Sequence, residues 1–383
     1  DAYYFNPSGG TPAMTVPFDI DGDRDVVIGD LNNRDGSVGF SGALAHTGVT
    51  RIQRGALRIG SSDNAPTASN IVFDSLDSER SAVVESTESA LELTIGTGVG
   101  TVSWNRAGGF ASSQGGAGTV VTLNGGTTID WGSAANGFNG QPLQLGSATA
   151  NAPVELTNNI DLGSAAQRDI QVADNSNSGS DIATISGVIS SSGTVNHILH
   201  INRVDEDPFR EGLLELTGNK TFDNSLRFDA GSVFAVDGVG LPTNANLQFS
   251  SGDDGQESVL LSNGTFSRNV GNGAGEVFWE GDGGGFAARG GDLTVTLNGG
   301  ATIVYDDAAG FNGSAFQLGS RHADGVATLT NSLDYGDDDP TIRTFDNPGS
   351  ENDRFVLDGD IINADGVRFR GGGYVIVNGD LDN

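Results

Sequence analysis

The chain has 383 residues, a formal net charge of −31, 59 glycines and no cysteine. A surface this acidic repels phosphate backbones, which argues against nucleic-acid binding, while it favours hydration and divalent cations. Without cysteine there is no disulfide framework, thiolate metal site or cysteine nucleophile, and no apolar stretch approaches the ~20 residues of a membrane-spanning helix.

In chain order, the first notable element is Asp19-Ile20-Asp21-Gly22-Asp23-Arg24-Asp25, continuing to Asp30. Alternate carboxylates in a tight loop suit Ca²⁺, which takes about six to eight oxygens, so Asp19, Asp21, Asp23 and Asp25 are the candidate metal ligands. The spacing partly resembles an EF-hand or dockerin loop, but Arg24 stands where the turn glycine belongs and no flanking helices are evident. Asp23 is matched by Asp181 and Asp353 in later copies, a pattern that points to a turn-fixing role.

Beyond this loop, short runs alternate apolar and polar residues with the period of half-buried strands. They include Ala56-Leu57-Arg58-Ile59, Ala90–Ile95, Thr119–Leu123, Leu213–Leu216, Leu226-Arg227-Phe228, Leu293–Leu297, Val326–Leu329 and Tyr374–Val377. Asn-Gly, Gly-Gly and Asp-Gly corners separate them and supply positive φ where the chain bends. Glycine is well above its usual share of about 7% but lacks a Gly-X-Y period, which excludes collagen. The regular apolar runs likewise argue against disorder.

These elements recur. Phe40–Phe73 and Leu216–Phe249 align at one constant offset: Gly55-Ala56-Leu57 with Gly231-Ser232-Val233, and Pro66–Asn70 with Pro242–Asn246. Further on, Trp104 returns as Trp279, Thr122-Leu123-Asn124-Gly125-Gly126 returns unchanged at Thr296–Gly300, and Gly137-Phe138 returns as Gly310-Phe311. A third motif occurs at Gly29-Asp30-Leu31, Gly187-Val188-Ile189 and Gly359-Asp360-Ile361. A repeat of roughly 175 residues made of short β-type pieces is the mark of a solenoid. Corners of irregular length and one-residue slips between copies favour a parallel β-helix over an antiparallel sandwich. The repeated aromatics, Trp104/Trp279, Phe110/Phe286, Phe138/Phe311 and Trp131/Tyr305, are expected to fill its core or stack at corners.

By this phase, residues 1–42 form the C-terminal half of a unit, 43–218 a full repeat, and 219–383 a second repeat ending as the next motif opens. A chain that starts without an initiator methionine and is out of phase with its own repeat is expected to be a section of a longer array.

Leu216-Thr217-Gly218-Asn219-Lys220-Thr221-Phe222 followed by Ala230-Gly231-Ser232-Val233 resembles the autotransporter-associated β-strand repeat of bacterial exported proteins. The first copy is looser, with His46 at the aromatic place. The resemblance implies a right-handed β-helix in an exported adhesin, passenger domain or surface fibre. It carries no chemistry of its own.

Catalytic signals are thin. His46, His197, His200 and His322 are the only histidines, and His197 and His200 lie three apart in a strand-like run, on opposite faces. Glycoside hydrolysis needs two carboxylates about 5–9 Å apart. Asp205-Glu206-Asp207, Asp253-Asp254, Asp306-Asp307 and Asp337-Asp338-Asp339 could supply one, but none has the basic or tyrosine neighbours of an acidic-sugar site. Three glycosylation sequons begin at Asn219, Asn263 and Asn312. The expectation is a non-enzymatic, structural β-solenoid segment of an extracellular or cell-surface fibre, surface layer or adhesin. Its partners are further copies of itself, neighbouring repeats, glycans or the cell surface, with no nucleic acid, no membrane span and no cofactor other than Ca²⁺. The alternative is a carbohydrate-binding or carbohydrate-cleaving β-helix.

Overall fold

In the computed structural model, parallel pairing joins strand to strand in register, as in Val38 to Leu57 to Val84 to Phe110. Residues 2–7, 13–29, 35–60, 64–76, 80–192, 197–202, 211–223, 225–251, 255–280, 283–305, 311, 315–336, 341–364 and 366–381 are described. The chain is all-β, and its stacked parallel sheets make it a β-solenoid. Antiparallel hairpins of a sandwich are excluded by this pairing. Asp30, the four acidic clusters from Asp205 to Asp339, and the Asn312 sequon lie outside the described residues, Asp205-Glu206-Asp207 and its fellows included.

Two compact units divide the chain, Asp1–His197 and Ile198–Asn383. The repeat phase of 43–218 and 219–383 is a matter of motif alignment and stands apart from this packing division.

In the first unit one face stacks Ala2–Phe5, Asp25–Ile28, Thr50–Ile52, Ile71–Phe73 and Thr101–Trp104. A second face stacks Ala13–Val16, Ser37–Phe40, Gly55–Ile59, Ala82–Ser86, Gly108–Ser112 and Leu143–Leu145. The two-residue period turns alternate side chains inward, so register lines them up in columns. Phe5, Ile28, Ile52, Phe73 and Trp104 form one column, and Val38, Leu57, Val84, Phe110 and Leu145 another. All are buried, each contributing about 1.5–3 kcal/mol of apolar burial.

The second unit is built alike, with Leu213–Leu216, Gly231–Ala235 and Ser258–Arg268 stacked in parallel, and Ser225–Phe228, Asn246–Phe249 and Val277–Trp279 on another face. The eight runs read from alternation all fall within strands. Of the repeated aromatics, Trp104, Trp131, Trp279, Phe110, Phe286, Phe138 and Phe311 are buried core, whereas Tyr305, the counterpart of Trp131, is half-buried and packs its ring on Phe311 and Tyr335. Each indole N–H is satisfied, Trp104 by the Gly108 carbonyl and Trp279 by the Gly284 carbonyl at 2.9 and 3.0 Å.

Corners explain why asparagine repeats with the strands. Asn124, Gly125 and Gly126 have φ of 49°, 61° and 82°, and Asn298, Gly299 and Gly300 repeat them at 49°, 62° and 90°. From this turn Asn124 Oδ1 accepts the Ile95 amide at 2.7 Å, and Asn298 Oδ1 accepts that of Val270 at 2.8 Å. Asn158 and Asn331 add the next rung, accepting the amides of Leu123 and Leu297. Asn70 and Asn246 pin the following turn through its carbonyls, Gly96 and Thr101 in one copy, Gly271 and Gly273 in the other. The side-chain amide carries one acceptor and two donors, which suits backbone groups left over where a strand ends.

The glycines of the third motif meet two different local needs. Gly187 and Gly359 are equivalent: a Cβ on either would strike the carbonyl of Asn158 or Asn331, which themselves correspond. Gly29 instead turns with a φ of 80° beneath the Arg54 carbonyl, a different local need.

Candidate functional site

The candidate calcium residues are placed apart in their roles. Asp19 Oδ1 accepts the Ala43 amide at 2.7 Å, and Asp25 Oδ1 accepts the Val49 amide at 2.8 Å. Asp25 also faces the Arg51 guanidinium at 3.6 Å, while Asp21 and Asp23 are exposed. Among the described residues no group of three or more His, Asp or Glu side chains is arranged to hold a metal ion. Asp181 and Asp353 do fix turns, their Oδ2 atoms accepting the amides of Asn175 and Asn347 at 2.6 Å.

The histidines take separate partners. His197 Nδ1 bonds the Ala165 carbonyl at 2.8 Å, and His200 Nε2 meets Asp229 Oδ1 at 2.9 Å. His46 is fully buried and linked to Thr50 at 2.8 Å, which in turn bonds Ser69 at 2.7 Å. The second copy has Phe222, Leu226 and Ala245 at these places, so a polar chain replaces apolar packing in the first. Burial pushes the His46 imidazole below its usual pKa against the opposing pull of Asp25. Its chain has no exposed member, which leaves no route for a substrate to this Ser/Thr/His series.

A better site lies on the outer face of the first unit. Alternation sends Leu57 and Val84 inward, hence Arg58 and Glu85 outward, and register sets these two opposite each other on adjacent strands. Arg58 Nε stands 3.7 Å from Glu85 Oε1. Glu85 is only 1% exposed, so its carboxylate needs hydrogen-bond donors. Ser113 donates to Oε1, and Ser147 (2.8 Å) and Thr149 donate to Oε2. The segment carrying Ser147 and Thr149 folds back over the sheet, held by the Asn151 amide on the Ser112 carbonyl at 3.0 Å. Ala150 then packs on Ala56, Val83 and Ala111, side chains small enough to admit it.

This overlay encloses a cleft of about 360 Å³, lined by Ser37, Arg58, Glu85, Ser113, Thr149 and Asn151 with two alanines and the Asn175 and Asn177 turn. Ser37 is 1% exposed, and neither its Oγ nor Arg58 Nε has a hydrogen-bond partner. No family profile, curated protein or solved structure matches the chain. The chain's own second copy holds the counterpart positions. Register puts Leu213, Phe234 and Leu261 where the first unit has Ser37, Arg58 and Glu85. The second unit carries an ion pair elsewhere, between Arg289 and Glu215 at 3.0 Å. Those three polar side chains thus have apolar counterparts in the second copy. Aligning the copies could have flagged Arg58 against Phe234, but Glu85 and Ser37 needed the register.

Asp181, behind the Asn175 wall, provides a pH handle. Burial raises its carboxyl to about 7, outweighing the Asn175 amide, which lowers it; Asp174 adds to the rise. The folded state therefore holds this proton more tightly than the unfolded chain. Its contribution to stability is full below about pH 4 and is lost as pH rises through about 7, on the order of 4 kcal/mol over that interval. In urea titrations between pH 4 and 7, Asp181→Asn is expected to flatten this part of the profile; an unchanged slope would place the buried proton elsewhere.

Proposed function

We propose that the chain is a structural, non-enzymatic segment of an extracellular bacterial surface fibre, surface layer or adhesin, continued by its own copies or by neighbouring repeats. The observation that supports this most is the duplicated asparagine set. Asn70/Asn246, Asn124/Asn298, Asn158/Asn331 and Asn175/Asn347 make matching bonds in both copies, and all of them tie one coil to the next. What the repeat preserves is stacking, while the side chains that could act on a ligand differ between copies. The strand-and-turn motif at Leu216–Val233 resembles the autotransporter-associated repeat and agrees with this reading.

Immunogold electron microscopy of the native cells tests it: label on extended material outside the cell is expected, and label confined to the cytoplasm would overturn it. Carbohydrate binding is a second reading, favoured by the polar cleft at Arg58 and Glu85. Cleavage fits less well, because among the described residues Glu85 is the sole carboxylate lining that cleft and the hydrolytic mechanism uses two.

A further inference from the structure

We propose that the cleft over Ser37, Arg58 and Glu85 binds one neutral pyranose unit, a hexose or the hexose end of a glycan. The inference goes beyond the structural reading and does not depend on whether the solenoid assembles. Its volume, about 360 Å³, lies toward the small end of the ~300–1,000 Å³ typical of small-ligand pockets. Arg58 and Glu85 balance each other, and among the described residues the remaining lining is hydroxyl, amide and alanine, which offers a charged ligand no counter-charge.

The lining alternates donors with acceptors. Ser113 and Thr149 give their protons to Glu85, which leaves their oxygens as acceptors toward the cleft. Arg58 supplies donors only. Ser37 Oγ, buried and unpartnered, can both give and take, and the exposed Asn151 side chain can do the same. A ring of vicinal hydroxyls, each donor and acceptor at once, matches that alternation. A buried hydroxyl without a partner costs free energy that a ligand hydroxyl would recover. The second copy has Leu213, Phe234 and Leu261 at these places and so offers none of these three polar groups.

The test is titration calorimetry with the free hexoses and methyl glycosides of glucose, galactose and mannose, and with glucuronate. At least one neutral sugar is expected to bind with a dissociation constant on the order of 1 mM. A bound methyl glycoside would assign a glycan end, and binding of free sugars alone a free monosaccharide. Ser37→Ala, which breaks no existing hydrogen bond, and Asn151→Ala, at an exposed position, should each weaken binding about five- to tenfold while thermal melting is unchanged. Failure of every neutral sugar to bind, tighter binding of glucuronate, or affinity unaltered in both variants would overturn the proposal.

Discussion

Replacing Asn158 by alanine is expected to lower the unfolding free energy by about 4 kcal/mol, read as a fall in the urea midpoint. The side chain is buried, and its three bonds all go to backbone groups of another coil. The Leu123 amide donates to Oδ1 at 2.8 Å, while Nδ2 donates to the carbonyls of Leu123 and Thr127 at 2.7 and 2.8 Å. Alanine strands one buried N–H and leaves two carbonyls short, each worth about 1–3 kcal/mol when unsatisfied. Asn331→Ala should behave alike in the second unit, since Asn331 repeats the set with Leu297 and Ala301. Asn177→Ala, at an exposed position, should stay within about 0.5 kcal/mol. If Asn158→Ala matched Asn177→Ala, water would be meeting those backbone groups and the corner would be open.

Gly109→Ala is expected to cost 3 kcal/mol or more, roughly, and to shift Tm down by several degrees. A Cβ at Gly109 would sit 1.9 Å from the Gln144 carbonyl oxygen, and one at Gly285 would sit 1.8 Å from that of Gln317. Those oxygens belong to the neighbouring strand and cannot give way without breaking the ladder. The glycines before them meet rings: Gly108 lies under Phe73 and Gly284 under Phe249, with Cβ contacts of 2.3 and 2.2 Å. The repeated Gly-Gly-Phe is therefore a packing requirement. Gly115→Ala provides the contrast, since a Cβ there meets nothing within 4 Å. It should be neutral or slightly stabilising, by restricting the unfolded chain. Equal melting of the two variants would contradict the close coil contact.

The strands were legible because alternation is local. Ala90–Ile95 or Leu226-Arg227-Phe228 needs only its own residues to declare a two-residue period. The Asn-Gly-Gly corner was legible for the same reason, since positive φ is a property of the residue. What stayed hidden depends on register between coils. Asn158 reads as one polar residue among many until Leu123 is known to lie beside it. Arg58 and Glu85 fall on successive coils, and nothing within either strand announces the pair. His46 showed itself only as a departure from the aromatic expected there, and its bonds to Thr50 and Ser69 appear only once the coil closes. The Asp19–Asp25 loop illustrates the converse: dense carboxylates suggested a cation, whereas Asp19 and Asp25 accept backbone amides of the following coil. In a solenoid, polar side chains at corners have neighbours one coil away, and their chemistry is often structural for that reason.

Amide hydrogen exchange at Ile95, Leu123, Val270 and Leu297 tests most directly that side-chain amides join the coils. These four N–H groups donate to Asn124, Asn158, Asn298 and Asn331 respectively, at 2.7 to 2.8 Å. They should exchange as slowly as the strand amides beside them, and Asn158→Ala should release Leu123 selectively. Fast exchange at all four in the unaltered protein would contradict the asparagine seam.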